Sequence, residues 1–205
     1  MAKITLKQIY RFLLEEVTMV EQADRPSCLK PLKVETASPL LQWERIWQLS
    51  RQKMLGPNLS SFLFKLLHQI LPTAERTARI LPAQSPYCTH CRREEQVVER
   101  LKHAIFECRN NQNVGTVLLN GIRKYVPNIN PSDILNLNFD VQEELDFPLV
   151  WCTASFLSAL WNLRTEKKRV ELIKIRAEME AQVRLLRESR LIKTTEMISN
   201  IFVTT

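Results

Sequence analysis

The chain has 205 residues, which is enough for one ordinary domain or for one domain with a helical extension. An apolar share of 45% is sufficient for a hydrophobic core and excludes wholesale disorder, while only three glycines argue against a strand-rich fold with tight hairpins. The net charge of +7 favours a polyanionic partner, and nucleic acid is favoured over a membrane. A basic protein without such a partner could have the same net charge.

The first 39 residues are predicted to form a helix over 4–22 and a proline-rich arm over 24–39. The helix has an apolar stripe at helical spacing, but charged residues interrupt its apolar residues, so it does not have the pattern of a signal peptide. No apolar run in the chain approaches the roughly 20 residues that span a bilayer. We therefore expect an intracellular protein, in the nucleus or cytoplasm, with no membrane partner.

Residues 40–125 are predicted to contain helices on either side of a cysteine-rich segment at 85–110. Trp43 and Trp47 lie one turn apart in the first of these helices, and Gly56-Pro57 is expected to break it. The predicted helices cover residues 40–55, the stretch from Ser60 or Ser61 to about Leu71, the stretch capped by Thr73 and ending near Pro82, and residues 114–125.

Residues 126–205 are predicted to form an apolar helix and then a charged amphipathic helix. Pro148 is expected to open the apolar helix after a loop over 127–131, and the charged helix should run from Thr165 to about Ile192. Its apolar stripe is expected to pack, either on the metal-binding segment or against a second copy. The stripe consists of Leu172, Ile175, Met179, Val183 and Leu186.

Four residues occur in the spacing of a zinc site: Cys88, Cys91, His103 and Cys108. Five cysteines in a reducing compartment favour metal over disulfides, and Zn²⁺ commonly takes a tetrahedral set of three Cys and one His. The two-residue gap between Cys88 and Cys91 lets a tight turn aim both sulfurs at one point. His90 lies inside this turn and is an alternative ligand. We predict one structural Zn²⁺.

The separation of His103 and Cys108 adds a condition on the backbone. Five residues correspond to about 140° around an ideal α-helix, so the helix must end or unwind before Cys108 if both side chains bind one metal. Basic residues surround the ligands, can offset the negative charge of three thiolates, and are our candidates for nucleic-acid contacts. They are Arg92, Arg93, Arg100, Lys102 and Arg109.

Several further residues have a structural and a functional interpretation. His68 is expected to pack or cap near a helix end, and the tryptophans are expected to pack in the core rather than stack on bases. Cys152 should be a small buried hydrophobe, while Cys28 has no evident partner. The run Lys167-Lys168-Arg169 is expected to be a solvated helix face, with phosphate contact as the alternative.

An ordered series of motifs resembles the zinc-binding region that follows the polymerase domain of non-LTR (LINE-type) retrotransposon reverse transcriptases. The resemblance covers residues 40–110 well and 145–165 loosely, and it departs from the family pattern at Arg100 and Ile105. The matching residues are Trp43 and Trp47, Phe62-Leu-Phe64-Lys65-Leu66-Leu67-His68, Leu71-Pro72-Thr73, Cys88-x-x-Cys91, Glu99-x-x-x-His103, Phe106-Glu107-Cys108, and Trp161-x-x-Arg164.

This resemblance implies a non-catalytic role in reverse transcription, in which the chain holds template RNA or target DNA beside the polymerase domain of the same element. None of the four aspartates is adjacent to another, so the acidic pair of a polymerase site is missing and we expect no enzyme activity. The alternative is a zinc-stapled helical protein-interaction module, which could be a relic of such an element, with no nucleic-acid role. A nuclease tail would need an acidic cluster that the sequence lacks.

The predicted fold class is therefore mainly α, with helical segments around a small Cys3His zinc module and a long C-terminal amphipathic helix. The predicted domains are an N-terminal helix and arm at 1–39, a zinc-binding domain at 40–125, and a C-terminal helical region at 126–205. The oligomeric state is left open.

Overall fold

A computed structural model gives the structure of the protein and describes residues 43–50, 52, 55–81, 83–91, 96–166, 170–183 and 188–202. All of these belong to one compact unit, Lys33–Thr205. Several predictions therefore lie outside the described residues: those for the helix at 4–22 and the arm at 24–39, and those for Cys28, Arg92, Arg93, Lys167-Lys168-Arg169 and Leu186. The side chains of Trp43 and Trp47 also lie outside them.

The described part of the chain is mainly helical, as predicted, and contains only an isolated antiparallel bridge in place of strands. Within it, eight α-helices and one π-helical turn follow in chain order. They are α1 (Trp43–Ser50), α2 (Gly56–Leu67), α3 (Ala74–Ile80), the π-turn (His103–Glu107), α4 (Gln112–Arg123), α5 (Pro131–Leu135), α6 (Glu143–Thr165), α7 (Leu172–Val183) and α8 (Glu188–Phe202).

The start of α2 corrects a prediction, because Gly56-Pro57 opens this helix and no cap at Ser60 or Ser61 is needed. Proline is tolerated in a first helical turn, where its missing N–H would have no partner in the helix. Gly56 has φ of +71°, which favours glycine at the entry. The other end of α2 is as expected: the His68 N–H bonds to the Phe64 carbonyl, and the two rings are in contact.

Thr73 caps α3 as predicted, since its Oγ1 accepts a hydrogen bond from the Arg76 N–H at 3.3 Å. A short helix, α5, follows the predicted loop at 127–131. There the Asn130 side chain accepts from the Asp133 N–H, and the Asp133 carboxylate accepts from the Asn130 N–H. These reciprocal bonds form a capping box that was not predicted from the sequence.

The prediction that Pro148 opens the apolar helix is wrong, because α6 begins at Glu143 and contains Pro148. An interior proline removes one helical hydrogen bond. The turn that precedes it is held by tertiary contacts: Phe147 is buried, and the buried Asp146 accepts a 2.6 Å hydrogen bond from Arg45 in α1. These contacts stabilise the helix on the N-terminal side of the proline.

The single charged helix predicted from Thr165 to Ile192 is also wrong, because α6 ends at Thr165 and two helices, α7 and α8, follow. Ile175, Met179 and Val183 are buried, and α7 packs against α6 and α8. Packing of α7 against α6 and α8 removes this stripe from water. The packing role predicted for the stripe is confirmed for Ile175, Met179 and Val183, but the predicted partner is wrong: the stripe packs on α6 and α8 and not on the metal-binding segment or a second copy.

One hydrophobic core extends from Ile46 in α1 to Ile201 in α8, so residues of both 40–125 and 126–205 contribute to it. Trp151, Trp161 and Cys152 are buried in it, as predicted. Gly121 permits close contact between α4 and α8, since a Cβ there would lie 2.8 Å from the Cα of Ile201. Among the described residues, no helix has the length and apolarity that crossing a membrane requires.

Candidate metal centre

The side chains of Cys88, Cys91, His103 and Cys108 converge on one point, as the sequence predicts. Their ligand atoms all lie within 4.8 Å of one another, and the group could hold a metal ion. The Cys88 and Cys108 Sγ atoms are 3.7 Å apart, and the Cys91 Sγ lies 3.4 Å from the His103 Nε2. All four side chains are at most 9% exposed.

These distances match the edges of a tetrahedral metal site. Bonds of about 2.3 Å to sulfur and about 2.0–2.1 Å to nitrogen would give tetrahedral edges of about 3.8 Å between two sulfurs and about 3.5 Å between sulfur and nitrogen. Metal-free thiols and an imidazole have no general reason to adopt both separations at once. The four residues therefore fit a four-coordinate metal ion in their present positions.

A short hairpin positions the two cysteines at its tip. The Cys88 N–H donates to the Val97 carbonyl at 2.8 Å, and the Glu99 N–H donates to the Pro86 carbonyl at 2.9 Å, on either side of the Tyr87–Val98 bridge. This pairing brings the segment that leads to His103 back beside the Cys88–Cys91 turn.

The environment of the thiols determines their protonation when no metal is bound. Burial raises the pKa of Cys88 to about 12, although the backbone N–H groups of His90 and Cys91 donate to its sulfur and oppose the rise. Burial also raises the pKa of Cys108, against a hydrogen bond from the Asn110 N–H. These N–H donors would stabilise thiolates once a cation has displaced the protons.

The π-helical turn meets the condition that the five-residue separation of His103 and Cys108 imposes on the backbone. The Cys108 N–H bonds to the His103 carbonyl at 2.6 Å, an i to i−5 bond that closes roughly one turn over five residues. Cys108 then leaves the helix with φ −66° and ψ 127°. The predicted unwinding before Cys108 is confirmed, and both ligands face the same point.

Asn111 supports this turn and was not identified from the sequence. Its side chain is fully buried and donates a 2.8 Å hydrogen bond to the Ala104 carbonyl. The Cys108 carbonyl accepts from the backbone N–H groups of Asn111 and Gln112, which start α4. Buried hydrogen bonds therefore join the segment that contains Cys108 to α4. In the sequence, the only sign of these bonds is an asparagine three residues after Cys108.

Gly115 lets α4 pack directly on the π-turn. A Cβ at this position would lie 2.6 Å from the Ile105 carbonyl oxygen and 3.1 Å from the Phe106 Cα. Both contacts are to backbone atoms, which cannot move aside as a flexible side chain can. Glycine is therefore required here for the close approach of two backbones.

His90, the alternative ligand, is not part of the converging group. Its side chain is exposed, whereas the side chain of His103 is buried. The structure therefore favours His103 as the fourth ligand.

Glu99 connects the metal-ligand segment to two helices. Its carboxylate forms a buried ion pair with Arg164 at the end of α6, and its Oε1 accepts a 2.8 Å hydrogen bond from the Ala74 N–H at the start of α3. Arg164 also lies over the ring of Trp161, 5.0 Å from its centroid. Glu99 and Arg164 each belong to a motif described in the sequence analysis. No pattern in the sequence predicts that the two residues form an ion pair with each other.

The five basic residues predicted to contact nucleic acid differ in their surroundings. Arg100 lies 3.6 Å from the Glu75 carboxylate, and Lys102 lies 3.2 Å from the Glu107 carboxylate. Arg109 is exposed. Arg92 and Arg93 lie outside the described residues, so the structure does not bring the five together into one described surface.

Comparisons with protein-family models, with curated proteins and with solved structures find no match for this chain. The interpretation of the site therefore depends on its own geometry and on the motifs in the sequence.

Proposed function

We propose that the chain is a structural zinc protein that binds nucleic acid and supports reverse transcription without a polymerase site of its own. The observation that carries the proposal is the group of three cysteine sulfurs and one imidazole nitrogen, which lie within 4.8 Å of one another and have one S–S and one S–N separation that match the edges of a tetrahedral site. Three thiolates and an imidazole are ligands that Zn²⁺ prefers, and four protein ligands leave no position for a substrate. The metal would therefore stabilise the fold.

The nucleic-acid role is supported by the charge of the chain and by the motifs. The net charge is +7, and Arg92 and Arg93 follow the ligand Cys91 directly in the sequence. Three residues of the motifs that carry the resemblance to retrotransposon reverse transcriptases support the segment beside the site: Glu99 forms a buried ion pair with Arg164, and it accepts a hydrogen bond from the first residue of α3, the helix that Thr73 caps. By that resemblance, the chain would hold template RNA or target DNA next to a polymerase domain inside the cell.

A second candidate is a zinc-stapled module that binds a protein. It is favoured by the ion pairs of Arg100 and Lys102 with Glu75 and Glu107, since these pairs reduce the positive charge available to phosphates. The two candidates differ in salt dependence. Phosphate contacts release counterions and give a steep dependence of affinity on salt, whereas helix packing gives a shallow one.

The test is binding of the purified chain to single-stranded RNA and DNA of mixed sequence, across a salt series, with and without a chelator. We expect binding that weakens with salt and is lost with the metal. Replacing Arg92 and Arg93 by Ala should flatten the plot of log affinity against log salt by roughly one to two units. Lys174→Ala, which removes an exposed lysine paired with Glu171, is the control and should leave the slope unchanged. Absence of binding by the zinc-loaded chain would contradict the nucleic-acid role.

A further inference from the structure

An aromatic pair lies on the solvent-exposed side of α2, which is called its outer side here. The rings of Phe64 and His68 are one turn apart with centroids 4.3 Å from each other, and both side chains are exposed. Partial burial of the His68 ring lowers its pKa, so the ring is neutral near pH 7. An exposed pair of this kind offers apolar ring surface to a flat, aromatic ligand.

A basic side chain lies beside this pair. Lys65 directly follows Phe64 and is exposed. Among the described residues no carboxylate forms an ion pair with Lys65, in contrast to Arg100 and Lys102. The outer side of α2 therefore combines aromatic surface with one exposed lysine.

A cleft of about 990 Å³ opens beside the same helix, between α2, α6 and α7. Lys65 lines it, and Trp161 lies in its wall. Its other polar lining side chains include the amides of Asn58 and Asn162 and the carboxylate of Glu178, which accepts a hydrogen bond from the Gln182 amide at 2.9 Å. Amides supply both hydrogen-bond donors and acceptors, as the edge of a nucleobase requires, and the volume is sufficient for an unstacked nucleotide.

We propose that single-stranded nucleic acid binds across the outer side of α2, with bases stacked on Phe64 and His68, a phosphate at Lys65, and one base in the adjacent cleft. This inference rests on the proposed function and adds a second contact surface to the contacts proposed for Arg92 and Arg93. Unpaired strands are the class of partner that fits, because stacking requires bases that are free of a duplex.

The experiment uses the full zinc-loaded chain and fluorescein-labelled RNA and DNA oligonucleotides of mixed sequence. Loss of one stacked base in Phe64→Leu should weaken binding about 5- to 150-fold. His68→Gln should weaken it in the same direction, and Lys65→Gln should reduce the salt slope by about 0.7. Tyr87→Leu is the matched control, since Tyr87 is equally exposed at 39% but lies on the hairpin; its affinity should be unchanged. Zinc content and melting temperature verify that each variant is folded.

Photo-crosslinking of the unaltered chain to 5-iodouracil oligonucleotides gives an independent measurement that does not depend on any variant being folded. Crosslinks should map to the peptide that contains Phe64 and His68. If the wild-type chain binds nucleic acid while Phe64→Leu and His68→Gln bind equally well, or if crosslinks map only elsewhere, this inference is overturned and the proposed function stands. If the wild-type chain binds no nucleic acid, both fail.

Discussion

Glu99 and Arg164 form an ion pair that is almost completely buried, with side-chain exposures of 3% and 10%. The pair joins the segment that leads into the metal ligands to the end of α6. Glu99 lies four residues before His103, where the π-turn begins. The stability of the core and the geometry of the metal centre are therefore linked through one carboxylate.

Replacing Arg164 by Met should destabilise the protein strongly. Glu99 would keep one backbone hydrogen bond, but its buried charge would lose its counterion, which typically costs about 3–5 kcal/mol of unfolding free energy. Chemical denaturation of the zinc-loaded chain measures this change. Arg176→Met is the control, since the Arg176–Glu180 pair is exposed and should contribute at most about 1 kcal/mol. Equal effects of the two substitutions would show that burial of the Glu99–Arg164 pair has no energetic consequence.

Asn111→Ala should weaken metal binding while leaving the four ligands in place. The substitution removes the hydrogen bond that satisfies the Ala104 carbonyl within the π-turn, and loss of such supporting bonds typically lowers metal affinity about 10- to 100-fold. Competition with a chromogenic chelator measures the affinity. Asn120→Ala, at an exposed position of α4, is the matched control and should bind metal as the wild type does. Unchanged affinity in Asn111→Ala would mean that the turn is rigid without this bond.

The four residues of the candidate metal site were predictable from sequence because their chemistry and spacing are short-range properties. Cys88, Cys91, His103 and Cys108 are of the types that bind zinc, and the need to unwind the helix before Cys108 followed from helix geometry alone. The π-turn itself, and its support by Asn111 and Gly115, depend on contacts between α4 and the turn. No local pattern distinguishes a buried asparagine that bonds to a carbonyl from a solvated one.

The helix boundaries that were predicted wrongly share one cause. Proline and charge patterns favoured a helix that starts at Pro148 and another that continues past Thr165, whereas tertiary packing decided both. Burial of Asp146 and Phe147 extends α6 backwards, and burial of the α7 stripe requires the chain to reverse. Local propensities are too small to override the burial of several apolar side chains.

Replacing His103 by Ala should lower zinc affinity, whereas His90→Ala should have little effect. His103 belongs to the converging group and is buried, while His90 is exposed. Three protein ligands would remain in His103→Ala, with water completing the coordination. Isothermal titration of both variants with Zn²⁺ under reducing conditions gives the comparison. The reverse order of affinities would assign His90 as the fourth ligand.

Zinc affinity should fall steeply as the pH is lowered. The raised pKa values of Cys88, about 12, and of Cys108 mean that both are protonated thiols near pH 7 in the absence of metal, so binding must displace their protons. Each displaced proton lowers the apparent affinity about tenfold for every unit of pH below the thiol pKa, so these two thiols alone predict about 100-fold per unit. Chelator competition at a series of pH values around neutrality, corrected for the chelator's own protonation, measures the slope. A slope near zero would exclude thiolate ligands.

The most direct test of the account is the metal content of the purified chain. Elemental analysis by mass spectrometry, on protein folded under reducing conditions and freed of loosely bound ions, should give about one zinc per chain. Chelation should release that zinc and lower the melting temperature, because the bound metal contributes to folding. A folded chain that contains no zinc, and whose melting temperature is the same with and without added Zn²⁺, would contradict the account.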